Sequence, residues 1–347
     1  MTAIDLRSDT TTLPSMQMRQ AMSRAEVGDD VFGEDPTVNS LQDYAADLVG
    51  KDAALFVSSG TMGNLIGILL HASRGQEVIV DADSHVFGSE AAGLAVVGGV
   101  QLSPVATQNG ILAADQIESA IRPLDDDHQP LTAAVSIENS HNGHGGVVWQ
   151  LADLQSARTV ADARHISIHL DGARVFNASI ASGISLRDIA SFADSLTFCL
   201  SKGLGCPAGS IITASTEQIH QARRWRKLLG GGMRQVGVLA AAGLYALNNM
   251  VDRLESDHYN ARFIATAMSE MDGISIDLDK VQTNIVRFRL DSVSATDFLT
   301  ACEAEGVLGL ATGEDSVRFV THFGVEEIDA KRVTEVVARA LSLCGHG

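Results

Sequence analysis

The most informative stretch of the chain is Leu196-Thr197-Phe198-Cys199-Leu200-Ser201-Lys202-Gly203-Leu204-Gly205. Its first five residues are largely apolar and favour β-structure, which predicts a buried strand ending just before Lys202. A lysine in that position is partly desolvated and suits Schiff-base chemistry. Of the five lysines in the chain, Lys51, Lys280 and Lys331 lie in patterns typical of solvent-exposed turns and helices. Lys202 is therefore the candidate reactive amine.

Short β-rich runs of this kind alternate with longer helical patterns through most of the chain. The alternation is typical of βαβ units and predicts a mostly parallel sheet that is buried on both faces. The predicted strands are Ala54–Val57, Glu77–Asp81, Val100–Val105, Ala133–Glu138, Ile166–Asp171, Leu196–Leu200 and Ser210–Thr213. The expected fold class is α/β.

A second, smaller α/β domain is predicted after residue 249. The pattern changes near Met233 to a long helical stretch that runs towards Met271. Two strand-like runs and a terminal helix follow, at Asn284–Leu290, Ser316–Thr321 and Glu326–Leu343. The predicted division is an N-terminal segment with a large domain over residues 1–249 and a small C-terminal domain over residues 250–347.

Composition and charge exclude several classes of function. Lys and Arg number 25 against 43 Asp and Glu, a net charge of −18 that repels nucleic acid and anionic lipid. No apolar run approaches the roughly 18 residues of a membrane span, and the N-terminus lacks the pattern of a secretory signal. The four cysteines form no CxxC pair. We expect a soluble, cytoplasmic protein with reduced thiols that binds neither nucleic acid nor membranes.

Two further polar motifs follow predicted strands, at the sheet edge where ligands of α/β folds collect. Ser58-Ser59-Gly60-Thr61 opens a helical pattern. This turn is either a simple helix cap or a phosphate cradle. Asp171 ends the strand before Gly172-Ala173-Arg174, and it either forms a salt bridge with Arg174 or holds a cationic ring nitrogen of a cofactor.

The three motifs together favour pyridoxal phosphate as the cofactor. Lys202 would hold the aldehyde as a Schiff base, and Asp171 would keep the pyridine nitrogen protonated. The phosphate would lie on Ser59, Gly60 and Thr61. This combination is a much stronger signal than any of its parts.

Ordered blocks along nearly the whole chain then point to a family. They are Asp5-Leu6-Arg7-Ser8-Asp9-Thr10, Val27-Gly28-Asp29-Asp30-Val31-Phe32-Gly33-Glu34-Asp35-Pro36, Asp171-Gly172-Ala173-Arg174, Leu200-Ser201-Lys202-Gly203-Leu204-Gly205 and Gly230-Gly231-Gly232-Met233-Arg234-Gln235. In these blocks the sequence resembles the L-threonine aldolases, fold-type I pyridoxal phosphate enzymes of the β-eliminating lyase group. The resemblance implies a large domain with a mostly parallel sheet and a smaller C-terminal α/β domain.

The resemblance also implies roles for individual residues. His85 matches a histidine that stacks on the pyridine ring and lies near the substrate hydroxyl; on its own it could simply begin a helix. Ser8, Arg174 and Arg318 match groups that hold the substrate carboxylate, and Arg174 also lies at the cofactor. An arginine fork fixes both the charge and the orientation of a carboxylate. Arg318 alone would be read as a surface ion pair.

The resemblance implies that subunits share their sites. Lys227 and Arg234 match basic residues near the cofactor phosphate that relatives contribute across a subunit interface, so a homotetramer built as a dimer of dimers is expected. Without the resemblance, Arg223-Arg224-Trp225-Arg226-Lys227 predicts a solvated helix face.

His128 and the residues around His144 depart from the family pattern. His128 matches a histidine near the substrate hydroxyl, but Gln129-Pro130-Leu131 stands where relatives have Phe-Ala-Arg. Relatives usually carry lysine at the position of His144 and lack the glycine pair at 145 and 146. These differences leave room for an altered aldehyde pocket.

A metal site is the rival interpretation of this region. Its candidate ligands would be His141, His144, Glu138, His169 and Asp171. The glycines disfavour a helical HxxH motif, and pyridoxal phosphate already accounts for Asp171. We therefore expect no metal.

The expected activity is retro-aldol cleavage of L-threonine, L-allo-threonine, phenylserine or a related β-hydroxy-α-amino acid to glycine and an aldehyde. The catalytic residues would be Lys202, His85 and His128, with His85 or a water near both histidines as the base. The alternative enzyme is a β-eliminating lyase that releases ammonia and a 2-keto acid. A non-catalytic binding protein gives no reason for a strand-end lysine.

Overall fold

The computed structural model describes residues 3–344. Its strands are β1 (Ile4–Asp5), β2 (Ala53–Val57), β3 (Glu77–Asp81), β4 (Gln101–Val105), β5 (Thr132–Glu138), β6 (Ser167–Asp171), β7 (Ser195–Cys199), β8 (Ser210–Ala214), β9 (Ile274–Ser275), β10 (Ile285–Leu290), β11 (Val307–Leu308), β12 (Leu310–Ala311) and β13 (Ser316–Val320).

The helices connect these strands on both sides of the sheet. They are α1 (Met16–Ser23), α2 (Pro36–Val49), α3 (Gly60–Leu69), α4 (His85–Gly88), α5 (Ala114–Ala120), α6 (Leu151–Arg164), α7 (Val175–Ser182), α8 (Leu186–Ser191), α9 (Thr216–Leu228), α10 (Gly237–Asn249), α11 (Leu254–Ser269), α12 (Ala295–Ala304) and α13 (Glu327–Cys344). Within residues 3–344, no helix is long and apolar enough to cross a membrane.

A seven-stranded sheet in the order β2-β8-β7-β6-β5-β3-β4 forms the centre of the molecule. Its neighbouring strands are parallel except for β8, which is antiparallel to both β2 and β7. The predicted mostly parallel sheet is confirmed, and each of its seven strands lies within one residue of its predicted ends.

The sheet is buried because its strands are apolar on both faces. Along β2, Phe56 packs into the core cluster that includes Leu41 of α2, while Leu55 points into the opposite cluster with Ile66 of α3. Successive side chains of a strand point to opposite faces, so apolar residues at consecutive positions require cover on both sides. The helices supply that cover.

A second sheet forms the core of the C-terminal region. Its order is β9-β10-β13-β12, all antiparallel. The N-terminal strand β1 pairs with β11, and Ile4 and Leu6 join the apolar cluster of this region. The division at residue 249 stays a prediction, but Ile4 and Leu6 pack with the C-terminal region.

The predicted continuous helical stretch from Met233 to Met271 is wrong. The structure has two helices there, α10 and α11, separated by Met250–Arg253. At the end of α10, Asn248 and Asn249 turn their side-chain amides back onto the carbonyl oxygens of Leu244 and Tyr245, at 2.7 and 2.8 Å. Asparagine favours helix ends because its side chain competes for backbone groups in this way.

Candidate active site

The carboxyl ends of the parallel strands bring the predicted polar residues to one edge of the sheet. Strands β3, β5 and β6 end in Asp81, Glu138 and Asp171, and Lys202 follows β7. Strand β2 leads into the turn that opens α3. The candidate site is therefore built by adjacent elements of the sheet, as expected for this architecture.

The turn before α3 caps the helix, and two of its backbone N–H groups remain available to a ligand. The Ser59 hydroxyl accepts a hydrogen bond from the Met62 N–H at 3.2 Å. Within residues 3–344, the N–H groups of Gly60 and Thr61 have no hydrogen-bond acceptor. A Cβ atom on Gly60 would lie 2.7 Å from the Cys199 sulfur, so the turn needs glycine there. Free N–H groups at a helix N-terminus attract anions.

Asp171 is buried and is held by an amide rather than by an arginine. Its Oδ2 accepts from the Asn64 side chain at 2.8 Å, and its Oδ1 accepts from the Ala173 N–H at 3.0 Å. The alternative of a salt bridge with Arg174 is not realised, because Arg174 pairs with Asp9.

A chain of neutral groups fixes the orientation of Asn64. His169 is fully buried, and burial lowers its pKa to about 3, so the ring is neutral. Its ring nitrogens lie 3.3 Å from Asn64 Oδ1 and 2.8 Å from the Ser195 hydroxyl. All groups are satisfied when His169 Nε2–H donates to Asn64 Oδ1 and Ser195 donates to His169 Nδ1. Both N–H groups of the Asn64 amide are then directed at Asp171 and Glu90.

His85 is positioned by two carboxylates. Its backbone N–H donates to Glu138 Oε2 at 2.8 Å, and its ring Nδ1 lies 2.8 Å from Glu90 Oε1. The hydrogen bond to Glu90 raises the pKa of His85, while burial and then the nearby Asp171 raise the pKa of Glu90. Glu90 and His85 therefore form a hydrogen-bonded pair in which each group shifts the pKa of the other. Neither of these contacts uses the Nε2 atom of His85.

Lys202 lies in the tight connection between β7 and β8. The Gly205 N–H donates to the Lys202 carbonyl at 2.8 Å, which closes the turn. The side chain is partly buried, and its ammonium group has no hydrogen-bond or ion-pair partner within residues 3–344. It lies close enough to Asp9 to contribute to the low pKa of that carboxyl.

Arg174 forms a buried, bidentate ion pair with Asp9. The Nε and Nη2 atoms of Arg174 donate to the two Asp9 oxygens at 2.7 Å each. Burial alone would raise the pKa of Asp9, but Arg174 more than offsets this and holds it well below its usual range. The third nitrogen, Nη1, lies 3.3 Å from Asn142 Oδ1. Ser8, at the start of this segment, caps the turn at Asp9–Thr11 by accepting from the Thr10 N–H at 3.2 Å.

Arg318 and Arg174 both contact the side-chain oxygen of Asn142. The Nη1 of Arg318 donates to Asn142 Oδ1 at 2.9 Å and its Nη2 to the Arg7 carbonyl at 3.0 Å. The buried Nε has no hydrogen-bond partner among residues 3–344. Burial and the neighbouring Arg174 lower the pKa of Arg318 to about 10. Two guanidinium groups that share one neutral oxygen form a site for an anion.

The two basic residues predicted near a cofactor phosphate lie at the surface. Lys227 is exposed in the last turn of α9, and Arg234 pairs with Asp29 at 2.9 Å. The interpretation of residues 223–227 as a fully solvated face is wrong for Arg226. This side chain is buried, donates to the Phe56 carbonyl at 2.7 Å and pairs with Asp30 at 2.7 Å.

His128 does not join the other predicted residues. It is exposed in the turn that precedes β5. Leu131, three residues later, accepts a hydrogen bond at its carbonyl from the N–H of Glu77 at the start of β3. Strand β5 has seven residues, so its two ends are separated by about 20 Å. His128 lies at the amino-terminal edge of the sheet. This position contradicts a role in the site of its own chain.

Several residues of the site were not found from the sequence alone. They are Asp9, Asn64, Glu90, Glu138 and Asn142, and each makes a hydrogen bond to a predicted site residue. Asp9 lies within the Asp5–Thr10 block, and Glu138 ends a predicted strand. Asn64 follows the Ser58–Thr61 turn, and Asn142 lies between His141 and His144. These neighbouring motifs were the available signal. Glu90 lies in an irregular segment after α4, and no local pattern distinguishes it from an exposed glutamate.

These groups fit pyridoxal phosphate. The Lys202 amine is without a partner, the buried Asp171 carboxylate is oriented by a neutral amide, and the α3 N-terminus offers free N–H groups. An amine for an aldehyde, a carboxylate for a pyridine nitrogen and N–H donors for a phosphate are the groups that this cofactor requires.

Comparison with solved structures places the fold. The chain superimposes on the threonine aldolase of Leishmania major with a TM-score of 0.83 at 20% identity, covering 97% of this chain and 99% of that one. It also superimposes on the serine palmitoyltransferase of Sphingomonas wittichii with a TM-score of 0.78 at 17% identity, covering 99% and 88%. The fold is that of the fold-type I enzymes that use pyridoxal phosphate.

Sequence comparison gives the family. A family model described as Beta-eliminating lyase matches residues 5–291. The low specificity L-threonine aldolase of Escherichia coli K12 is 44% identical over 336 residues, which are 96% of this chain and 97% of the relative. Low-specificity L-threonine aldolase 1 of Arabidopsis thaliana is 40% identical over 95% of this chain and 94% of the relative. The chain belongs to the beta-eliminating lyase family.

Proposed function

We propose that this protein is a pyridoxal phosphate-dependent aldolase that cleaves L-threonine, L-allo-threonine or a related β-hydroxy-α-amino acid to glycine and an aldehyde. The observation that carries the proposal is the pair of guanidinium groups around Asn142, where a buried Arg318 nitrogen is unpaired, in the same site as Lys202 and His85. The activity named for the sequence relatives supports the same reaction.

Three parts of the chain would hold the cofactor. Lys202 would supply the amine for its aldehyde, Asp171 would accept from its ring nitrogen, and the turn of Ser59, Gly60 and Thr61 would donate to its phosphate. When bound, pyridoxal phosphate supplies an electron sink for the pair that is left when a bond to Cα breaks. The Asn64 amide and the Ala173 N–H both donate to Asp171, which fixes the orientation of the carboxylate that would accept from the ring nitrogen.

Arg174 and Arg318 would bind the substrate carboxylate. Asp9 occupies two nitrogens of Arg174 and fixes the plane of its guanidinium, while Nη1 remains directed at the position that Asn142 shares with Arg318. A carboxylate placed there satisfies Arg318 Nε and offsets the repulsion between two buried cations. With the carboxylate fixed, the Cα–Cβ bond of the substrate is oriented for cleavage.

His85 would take the proton from the β-hydroxyl group as the Cα–Cβ bond breaks. Glu90 holds Nδ1, so the free nitrogen for this transfer is Nε2. The aldehyde then leaves, and Cα regains a proton to give glycine. General base catalysis of this kind typically contributes about 10²–10⁴-fold in rate.

We also propose that the active form is a homotetramer with shared sites and that it works in the cytoplasm. Lys227 is exposed and lines a surface groove of about 920 Å³ along α9, and Arg234 is exposed two residues after Gly232, which also lines the groove. Both side chains are accessible to the phosphate of a neighbouring subunit. The four cysteines of the chain are all unpaired, which suits a reducing compartment.

Product identification tests the proposed activity. The purified enzyme, loaded with cofactor, is incubated with L-threonine, L-allo-threonine and phenylserine. We expect glycine and the matching aldehyde in equal amounts. If ammonia and a 2-keto acid accumulate instead, and glycine does not appear, the enzyme catalyses β-elimination and the aldolase proposal is wrong.

A further inference from the structure

Beside the active site, two histidines and one aspartate converge on one point, and a second aspartate lies next to one of the histidines. His141 Nε2 lies 3.1 Å from Asp81 Oδ1, and His144 Nε2 lies 3.5 Å from the same oxygen. His144 Nε2 also lies 3.3 Å from Asp83 Oδ2. His141 is fully buried, whereas the Asp83 side chain is 67% exposed. The cluster thus has a buried side and a side that opens to solvent.

These contacts are not ordinary hydrogen bonds. Within residues 3–344, the Nε2 atoms of His141 and His144 are buried and have no hydrogen-bond partner of acceptable geometry. Their distances to the aspartate oxygens instead match the spacing of ligands around one metal ion. In a tetrahedral site with bonds of roughly 2.0–2.1 Å, neighbouring ligand atoms are about 3.3 Å apart.

The surrounding backbone brings the two segments of the cluster together. The chain reverses after His141, which pairs with Val147, through Gly145 and Gly146 at φ values of +82° and +85°. A Cβ atom on Gly110 would lie 2.6 Å from the His141 ring, so glycine is needed there to admit it. The other oxygen of Asp81 accepts from the Thr107 hydroxyl at 2.6 Å, which fixes the carboxylate.

We propose that Asp81, His141 and His144 form a binding site for one divalent transition-metal ion, zinc by preference, with Asp83 at its open side. Two imidazole nitrogens and one carboxylate provide three ligands, and water takes the fourth position of a tetrahedral ion. The Asp83 carboxylate beside His144 supplies a second negative charge to balance a dication. Nitrogen ligands select zinc, nickel or cobalt over magnesium and calcium. This donor set differs from the one considered from the sequence, because Asp81 at the end of β3 replaces Glu138, His169 and Asp171.

The ion would have a structural role next to the catalytic groups. It would join the β3–α4 turn, which carries His85, to the segment after β5, which carries Asn142. None of the three ligands, nor Asp83, belongs to the residues proposed to bind cofactor or substrate. Metal binding is therefore separable from the chemistry of the site.

Metal content measures this proposal directly. The cofactor-loaded enzyme is stripped with a chelator, dialysed against Zn²⁺ and analysed by elemental mass spectrometry. We expect one zinc per chain, retained in excess Mg²⁺ or Ca²⁺. Co²⁺ should give the intense visible absorption of a four-coordinate ion. Bound zinc should also raise the melting temperature.

Two variants and one control locate the ion. His144→Lys provides an ammonium group for Asp81 and Asp83, so the fold is retained while affinity for zinc falls by roughly 100-fold or more. Asp83→Asn, at an exposed position, should also weaken binding. His220→Lys removes an exposed histidine on α9 and should leave the zinc content unchanged. A parent enzyme that retains no zinc, or a His144→Lys variant that binds it equally well, would overturn the proposal.

Discussion

The candidate site has two ends, one for the substrate carboxylate and one for the cofactor phosphate. They differ in whether a single chain supplies all of the groups. At the carboxylate end, Arg174 is buried against Asp9, and Arg318 shares Asn142 with it. At the phosphate end, the α3 N-terminus offers free N–H groups, but Lys227 and Arg234 lie at the surface. One chain thus supplies both arginines of the proposed carboxylate site. The two cations expected near the phosphate, Lys227 and Arg234, lie at its surface instead.

The largest expected effect is at Lys202, which lies between these ends. Lys202→Ala should reduce kcat by at least about 10⁴-fold, as the loss of an essential covalent group does in other enzymes. The variant should still bind pyridoxal phosphate, because the α3 turn and Asp171 remain. Lys280→Ala, at an exposed loop lysine, is the control and should be fully active.

Borohydride reduction checks the same assignment chemically. Peptide mapping should find the reduced cofactor on Lys202 in the parent enzyme. An adduct on Lys227 instead would mean that the strand-end lysine does not hold the cofactor.

The next largest effect is expected at the carboxylate end. Arg318→Gln removes the cation whose Nε is unpaired, and truncation of one partner of a buried charged pair costs about 2–5 kcal/mol. We therefore expect kcat/KM to fall by at least roughly 30-fold, with cofactor binding unchanged. The control Arg289→Gln alters an exposed arginine on β10 that pairs with Asp315. Weakened cofactor binding in Arg318→Gln would show that the two ends are not independent.

A smaller effect is expected in the pH dependence, through Glu90. Its hydrogen bond raises the pKa of His85 above the ordinary value, so His85 is protonated and inactive as a base up to a higher pH. In Glu90→Gln the pKa of His85 should therefore fall. The acid limb of the kcat/KM profile should then move to lower pH. Glu118→Gln, at an exposed position, should leave the profile in place. If the acid limb does not move in Glu90→Gln, His85 is not the base.

The sequence predicts best those features that depend on residues close together in the chain. The strands were predictable because burial on both faces leaves short apolar runs, and Lys202 and Asp171 were predictable because they directly follow such runs. The break between α10 and α11 was missed because the asparagines that end α10 act through side-chain contacts, which apolar periodicity does not register.

The supporting residues of the site depend on contacts between distant parts of the chain. Asp9 meets Arg174 across 165 positions, and Asn142 meets Arg318 across 176. Asn64 lies inside a helix, where an asparagine is usually exposed, and only the neighbouring strands reveal that its amide joins Asp171 to Glu90. The role of His128 stays a prediction. The matched motif does not state at which edge of the sheet its turn lies, and in its own chain that turn lies at the edge away from the candidate site.

The smallest expected effect tests whether the phosphate end is completed by a second chain. Arg234 is half-exposed and already paired with Asp29, so Arg234→Ala should leave the fold intact and weaken retention of pyridoxal phosphate by only about tenfold. Dialysis followed by absorbance measures this loss. When Arg234→Ala is mixed and reassembled with Lys202→Ala, some sites combine an intact Lys202 from one chain with an intact Arg234 from the other. Activity in the mixture above the sum of the two variants would show that the residues serve one site from different subunits. No recovery, or an active monomer in sedimentation, would mean that each chain completes its own phosphate site and that the two ends do not differ in this respect.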